Sequence, residues 1–273
     1  MAGSSQHDEM LQRANAALQS QRPVEAARIA GAVLKDNPRH PRALQIYGGA
    51  LLVQGKPKDA IGPLEESARG RHDPVVDTQL AIALRQVGRL DEALVKLKRA
   101  VKRKPPYPAS FHELGYLLFA MERHDEAIEV LNRGLEIAPN SPELSLQLGN
   151  VLIRRARYLE AKTAFARALA IAPGSADGLL GMATAHAALG EYATAAEGFR
   201  GCLASRPEDT GLWLKLGHCL LALRRPDAAY DCFRAAARGN PDRHRQVLAS
   251  LVRSGHGRFW LRPSDAARFF GKT

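Results

Sequence analysis

Three stretches of the sequence carry residue types that do chemistry. Gly49-Ala-Leu-Leu-Val-Gln-Gly55-Lys56 places two glycines before a lysine, as in loops whose backbone amides wrap a phosphate while the lysine neutralises it. One residue too many separates the glycines, and Pro57 stands where a Ser or Thr hydroxyl would hold magnesium. The segment therefore reads as a helix followed by a turn. His112-Glu113 begins like a zinc-protease helix, but the second ligand place is Tyr116, which leaves a metal without its second imidazole. Cys202, Cys219 and Cys232, with His218, offer the soft ligands of a metal or redox site, yet their registers put the cysteines on packed helices, where Cys behaves as a small apolar residue. No nucleophile, base and orienting group recur in a recognisable arrangement. Neither catalysis, metal nor cofactor is expected.

Composition sets the limits within which such residues must be positioned. The chain has 273 residues, 45% hydrophobic and 25% charged, which suits a core-forming chain and excludes wholesale disorder. No apolar run approaches the roughly 18 residues of a membrane span. The start lacks a basic segment followed by an apolar one, and the odd number of cysteines, three, fits a reducing compartment. A cytoplasmic location is expected. The formal charge of +11 would attract RNA, an anionic membrane surface or an acidic protein.

The positioning elements come from a repeat. Prolines fall at Pro105, Pro139, Pro173, Pro207 and Pro241, each 34 residues after the last. Ala93, Ala127, Ala161, Ala195 and Ala229 keep that step, as do the bulky Leu97, Leu131, Phe165, Phe199 and Phe233. Small residues recur as Gly48, Ala81, Gly115, Gly149, Ala183 and Gly217. With one residue missing between Leu64 and Pro74, seven units follow: 7–40, 41–73, 74–107, 108–141, 142–175, 176–209 and 210–243. A period of this length means stacked units.

Within a unit, apolar residues at three- and four-residue spacing flank a short polar break, so each unit predicts two amphipathic helices. Gly55, Gly88 and Gly190 occupy the same place in that break, where a left-handed residue ends the first helix. The prolines stop the second helix, because Pro has no amide hydrogen and restricts its predecessor. The recurrent small residue marks a close helix crossing, where a larger side chain would hold the backbones apart.

The pattern resembles the tetratricopeptide repeat family, whose unit reads W-x2-L-G-x2-Y, then A-x3-F-x2-A, then P. Trp213, Leu216, Gly217, Leu220, Ala229, Phe233, Ala236 and Pro241 match it best. Leu148, Gly149, Leu152, Ala161, Phe165, Ala168 and Pro173 follow closely, although Ser145 replaces the usual Trp. The first unit departs most, with Arg13 for Leu and Ala30 for Phe. The resemblance implies an all-α, right-handed superhelical solenoid of about seven helix-turn-helix repeats, continuous rather than split into domains. Residues 1–6 are expected to be disordered. Residues 244–254 suit a capping helix with Val247, Leu248, Leu251 and Val252 on one face, and the rest of 244–273 is an aromatic, basic tail with Phe259, Trp260, Leu261, Phe269 and Phe270. That tail either seals the last helices or acts as a docking segment.

In this family the face of each first helix turned away from the core lines the inner surface. The resemblance thereby nominates Thr78, Gln79, Arg85 and Gln86 in the third unit, and His112, Glu113, Tyr116 and Phe119 in the fourth. It adds Leu146, Gln147, Asn150 and Arg154 in the fifth and Lys215 and His218 in the seventh. Such a groove suits a peptide or short helix of a partner protein, stacked on Tyr116 and met by Gln, Asn and Arg. The clamp by which some relatives hold a carboxyl terminus lacks its lysine here, with Leu11 and Asn15 in one unit and Leu146 and Asn150 in another. The expected function is a non-catalytic protein-interaction scaffold. The alternatives are an electrostatic binder of RNA or anionic membrane, or an accessory module of a multi-protein enzyme system. For the former stands the stretch 96–104, with six basic residues and no acid, on a second helix without the interleaved aromatics that stack bases.

Overall fold

The computed structural model describes residues 2–69 and 73–237, the side chains from Gln6 onward. The expected capping helix 244–254, the aromatic tail and Pro241 lie outside the described residues. Among those described there are fourteen helices and no strand, paired into hairpins: α1 (Ala2–Gln19) with α2 (Pro23–Asp36), α3 (Pro41–Val53) with α4 (Pro57–Ala68), and α5 (Pro74–Gln86) with α6 (Leu90–Ala100). Then come α7 (Pro108–Ala120) with α8 (His124–Ile137), α9 (Pro142–Arg154) with α10 (Tyr158–Ile171), α11 (Ala176–Ala188) with α12 (Tyr192–Ser205), and α13 (Thr210–Ala222) with α14 (Pro226–Ala237). The architecture is that of an all-α solenoid. Among the described residues no helix is long and apolar enough to cross a membrane.

The chain divides into two compact units, residues 1–140 with α1–α8 and residues 141–273 with α9–α14. The repeat register foresees one continuous array; each hairpin contacts only its neighbours, so a division falls between hairpins. Within each unit every helix packs on the next, and the first helices α1, α3, α5 and α7 also touch in turn, as do α9 and α11. Helix α1 begins at Ala2, so residues 2–6, expected to be disordered, are helical. No proline interrupts them, and extending a formed helix costs far less than nucleating one.

Each hairpin closes on the recurrent small residue. A methyl group at Gly48 would sit 2.6 Å from Leu64 Cγ, at Gly115 2.6 Å from Leu131 Cδ2, and at Gly217 2.5 Å from Phe233 Cε1. Phe165, fully buried, is approached from two sides, by Gly149 and by Gly181 of the following hairpin. The apolar stripes of first and second helices meet there, and Phe111, Phe165, Phe199 and Phe233 are the bulkiest side chains wholly withdrawn from water.

The turn between paired helices holds one left-handed residue every time. Gly55, Gly88 and Gly190 have φ of 72°, 85° and 79°. Gln21, Glu122, Ala156 and Arg224 take the same place at φ of 56° to 59°, a conformation that costs an L-residue roughly 1–2 kcal/mol. Second helices then start with a recurrent ion pair across their first turn: Arg22–Glu25, Arg89–Glu92, Arg123–Glu126 and Arg157–Glu160. The acid sits where the helix dipole favours negative charge. Hydrogen bonds from the arginines hold the carboxyls of Glu92, Glu126 and Glu160 below their ordinary range, against some desolvation.

Prolines end most second helices as foreseen, with Asp36, Ile137, Ile171 and Ser205 each two residues before a Pro. Helix α4 ends at Ala68 with no proline at that place, and helix α6 departs further. It stops at Ala100, five residues before Pro105, so Lys102, Arg103 and Lys104 lie in a turn rather than on the helix expected over 96–104. Continuing the helix would set Lys98 against Lys102 and Arg99 against Arg103, like charges four residues apart, and Pro105-Pro106 supply no amide hydrogens to carry it on.

Two outcomes are expected. Gly62 lies within α4 with nothing near an added methyl, so Gly62→Ala raises stability by about 1 kcal/mol, whereas Gly115→Ala, which must displace Leu131, lowers it by about 1–3 kcal/mol; chemical denaturation of both variants checks this contrast. The three depressed glutamates contribute stability that is present above the ordinary carboxylate range and lost as pH falls through their lowered values. Thermal melts from neutral to acid pH should show that loss, and Arg123→Met should shrink it.

Candidate functional site

In the first unit the unburied residues of α5 include Val75, Gln79, Ile82 and Gln86, with Arg85 beside them, and those of α7 include Ala109, His112, Tyr116 and Ala120. Steps of three and four residues put each set on one stripe. The two helices touch, and side chains join the stripes. The Arg85 guanidinium lies 4.5 Å from the centre of the Tyr116 ring, a cation–π distance. Its Nη2 donates to Glu113 Oε2 at 3.4 Å, and His112 Nδ1 lies 3.5 Å from Glu113 Oε1. Tyr116 is 45% exposed while the Arg85 and Glu113 side chains are mostly covered. The result is an open aromatic face backed by a compensated charge pair. It can stack and hydrogen-bond a ligand, but it offers no polarised nucleophile.

The floor under this face is polar and closed. Asp77, fully buried, accepts from Arg99 Nε at 2.8 Å and also from its Nη2, tying α5 to α6. Thr78 Oγ1 lies 2.6 Å from Pro74 O, which accepts its hydrogen, and 2.7 Å from Ser110 Oγ, joining α5 to α7. Thr78 is therefore core, not groove, because its place on the helix flank faces the next first helix. Sequence reading missed Asp77. The signal was available: a carboxylate occupies the apolar place held by Leu44, Phe111 and Trp213, and Arg99 stands where Arg133 lies 5.8 Å from Phe111.

The other nominated residues separate. Phe119, nominated for the groove, packs on His124 of its own hairpin with ring centres 5.4 Å apart. Gln79 is half-buried over Gly49, where its Nε2 lies 2.9 Å from the position of an added methyl. In the second unit Gln147 is 9% exposed, without a hydrogen-bond partner on either amide atom; its place is a helix flank rather than the open stripe. Asn150 and Arg154 are exposed on α9. Lys215 Nζ donates to Thr184 Oγ1 at 3.2 Å and sits 5.7 Å from the Phe199 ring, and desolvation lowers its pKa. His218 meets Phe233 edge-on at 5.6 Å, and burial lowers its pKa too.

Cys202, Cys219 and Cys232 are buried free thiols. Burial pushes the Cys219 thiol up and that of Cys232 to about 11. Thiols kept protonated are poor nucleophiles and ligands, and among the described residues no group of His, Cys, Asp and Glu is arranged for a metal ion. The basic stretch is partly neutralised, Lys98 lying 3.7 Å from Glu126 and Arg99 being bound to Asp77.

Two sequence-family models, each described as Tetratricopeptide repeat, match the chain, one over residues 84–149 and 188–251, the other over 11–74 and 146–210. No curated protein matches it. Among solved structures, a Pseudomonas aeruginosa pilF structure is 19% identical over 76% of this chain and 95% of its own, with a TM-score of 0.68. A tetratricopeptide repeat protein from Parabacteroides merdae is 17% identical over 90% and 98%, with a TM-score of 0.60. The Cut9–Hcn1 hetero-tetramer of the APC/C gives 16% identity, 88% and 48% coverage and a TM-score of 0.70. At such identities the likeness is one of fold.

The buried pair under the face yields a test. Arg99→Met strands the Asp77 carboxylate and is expected to cost about 3–5 kcal/mol, less whatever water reaches the exposed edge of the site, whereas Asp77→Leu with Arg99→Met recovers most of that loss. Equilibrium denaturation of the single and double variants measures the difference.

Proposed function

Because the chain belongs to the tetratricopeptide repeat family, we propose that it is a non-catalytic scaffold that holds a peptide or short helix of a partner protein on the outward stripes of its first helices. The observation carrying this reading is Tyr116, a large ring left 45% exposed while Arg85 and Glu113 brace it from the neighbouring helix and its own. An aromatic residue fixed by surrounding contacts loses little entropy on binding, the property of an interface anchor. The 3.4 Å separation of Arg85 and Glu113 is at the long end for a hydrogen bond, so a partner's polar group can share the guanidinium. Asn150, Arg154, Lys215 and His218 extend the same reading to the second unit, as a separate set of contacts. The chain thus brings partner proteins together without transforming them.

Affinity capture from a lysate treated with nuclease tests it. Arg85→Glu combined with Tyr116→Ala is expected to reduce capture of the specific partner about tenfold or more, with helical content by circular dichroism unchanged. Capture that survives these changes but falls steeply with salt would instead favour the electrostatic reading, in which the basic surface recruits nucleic acid or anionic membrane.

A further inference from the structure

The chain carries 39 basic and 28 acidic residues, yet one strip of its first unit has none. The ninth place of successive first helices holds Asn15, Gly49, Ile82 and Tyr116, and the thirteenth holds Gln19, Val53, Gln86 and Ala120. These eight places span α1, α3, α5 and α7, whose neighbours touch in sequence. Gly49 is covered, its space taken by the Gln79 carboxamide, and the other seven are exposed or half-buried. Val53 is 64% exposed. Arg85, beside Gln86 on α5, is engaged by Glu113.

We propose that this strip receives an uncharged, extended segment of a partner protein, recognised through its backbone by the carboxamides of Asn15, Gln19 and Gln86 and through apolar side chains by Val53, Ile82 and Tyr116. The inference rests on the scaffold reading above and names the partner's chemistry. A carboxamide both donates and accepts, which matches a peptide group, while a charged ligand would gain no counter-ion on the strip and would lose hydration. The geometry also suits a strand. Packed helices lie about 8–10 Å apart and an extended chain advances about 3.3 Å per residue, so successive first helices meet about every third residue. Three helix spacings then accommodate roughly nine residues.

The probe is a random library of peptides of about twelve residues, displayed on phage and selected on the full chain. The expected pool is depleted in Asp, Glu, Lys and Arg. A synthetic member should bind within about twofold from 50 to about 500 mM NaCl. It should lose about tenfold on Gln19→Leu with Gln86→Leu, on Gln86→Leu alone to a lesser degree, and on N-methylation of every third backbone amide. Circular dichroism and melting establish that the variants are folded; Gln86, exposed on the last turn of α5, is the change least able to disturb folding. A charged pool with steep salt dependence, or binding unmoved by the Gln variants and N-methylation, overturns the inference. If Tyr116→Ala abolishes that binding, the scaffold reading stands without the neutral segment. If Tyr116→Ala also leaves it unmoved, or the library yields no enrichment, both fall.

Discussion

Everything in this protein depends on how closely two helices approach within a hairpin. The small residue of the first helix and the bulky residue of the second form one contact, Gly115 on Leu131 or Gly217 on Phe233, with no room for a further methyl. That contact sets the rotation of the first helix. Once its inner side is committed, the opposite side must face outward, so the stripes bearing Gln79, Ile82, Tyr116 and Gln86 are consequences of packing two residues deep in the core. The open stripes are thus the rear of a structural contact, which is why the same backbone unit can carry surfaces of different chemistry.

The polar contacts divide labour differently. Exposed pairs such as Arg123–Glu126 recur at the start of second helices, gain little individually, and complement the helix dipole. Asp77–Arg99 and Thr78–Ser110 occur once, are sheltered, and fasten α5 to α6 and α7. The helix carrying Arg85 is therefore held by directional bonds off its open stripe, while its apolar neighbours supply most of the burial. Arg85 and Glu113, braced across two helices, present Tyr116 at little further entropic cost.

Much of this was legible in the sequence, and the exceptions have physical causes. A period of 34 residues fixes helix pairing because Gly, Ala and Pro constrain the backbone directly, and Gly55, Gly88 and Gly190 announce their turns. Gln21, Glu122, Ala156 and Arg224 do not, since no side chain advertises a left-handed conformation imposed by its neighbours. The stripe containing Arg85, His112 and Tyr116 follows from helical periodicity, whereas Thr78, Gln147 and Phe119 lie on its flanks, where a fraction of a turn separates surface from core. Helix α6 ended early because local repulsion and paired prolines outweighed the repeat register. Asp77 stands at a place that is apolar in most units, and its partner Arg99 lies on another helix, so the pair shows only once α5 and α6 are packed.

The placement of the cysteines has a consequence for watching this molecule at work. All three lie on α12, α13 and α14, in the last two hairpins described, and each thiol is covered by packed side chains. One hairpin of a stack can open while its neighbours stay closed. The chain thus contains its own reporter of local opening: a thiol-specific reagent is silent toward closed helices, and labelling of Cys219 and Cys232 compared with that of Cys202 separates the opening of the α13–α14 hairpin from that of the hairpin before it, without any foreign probe.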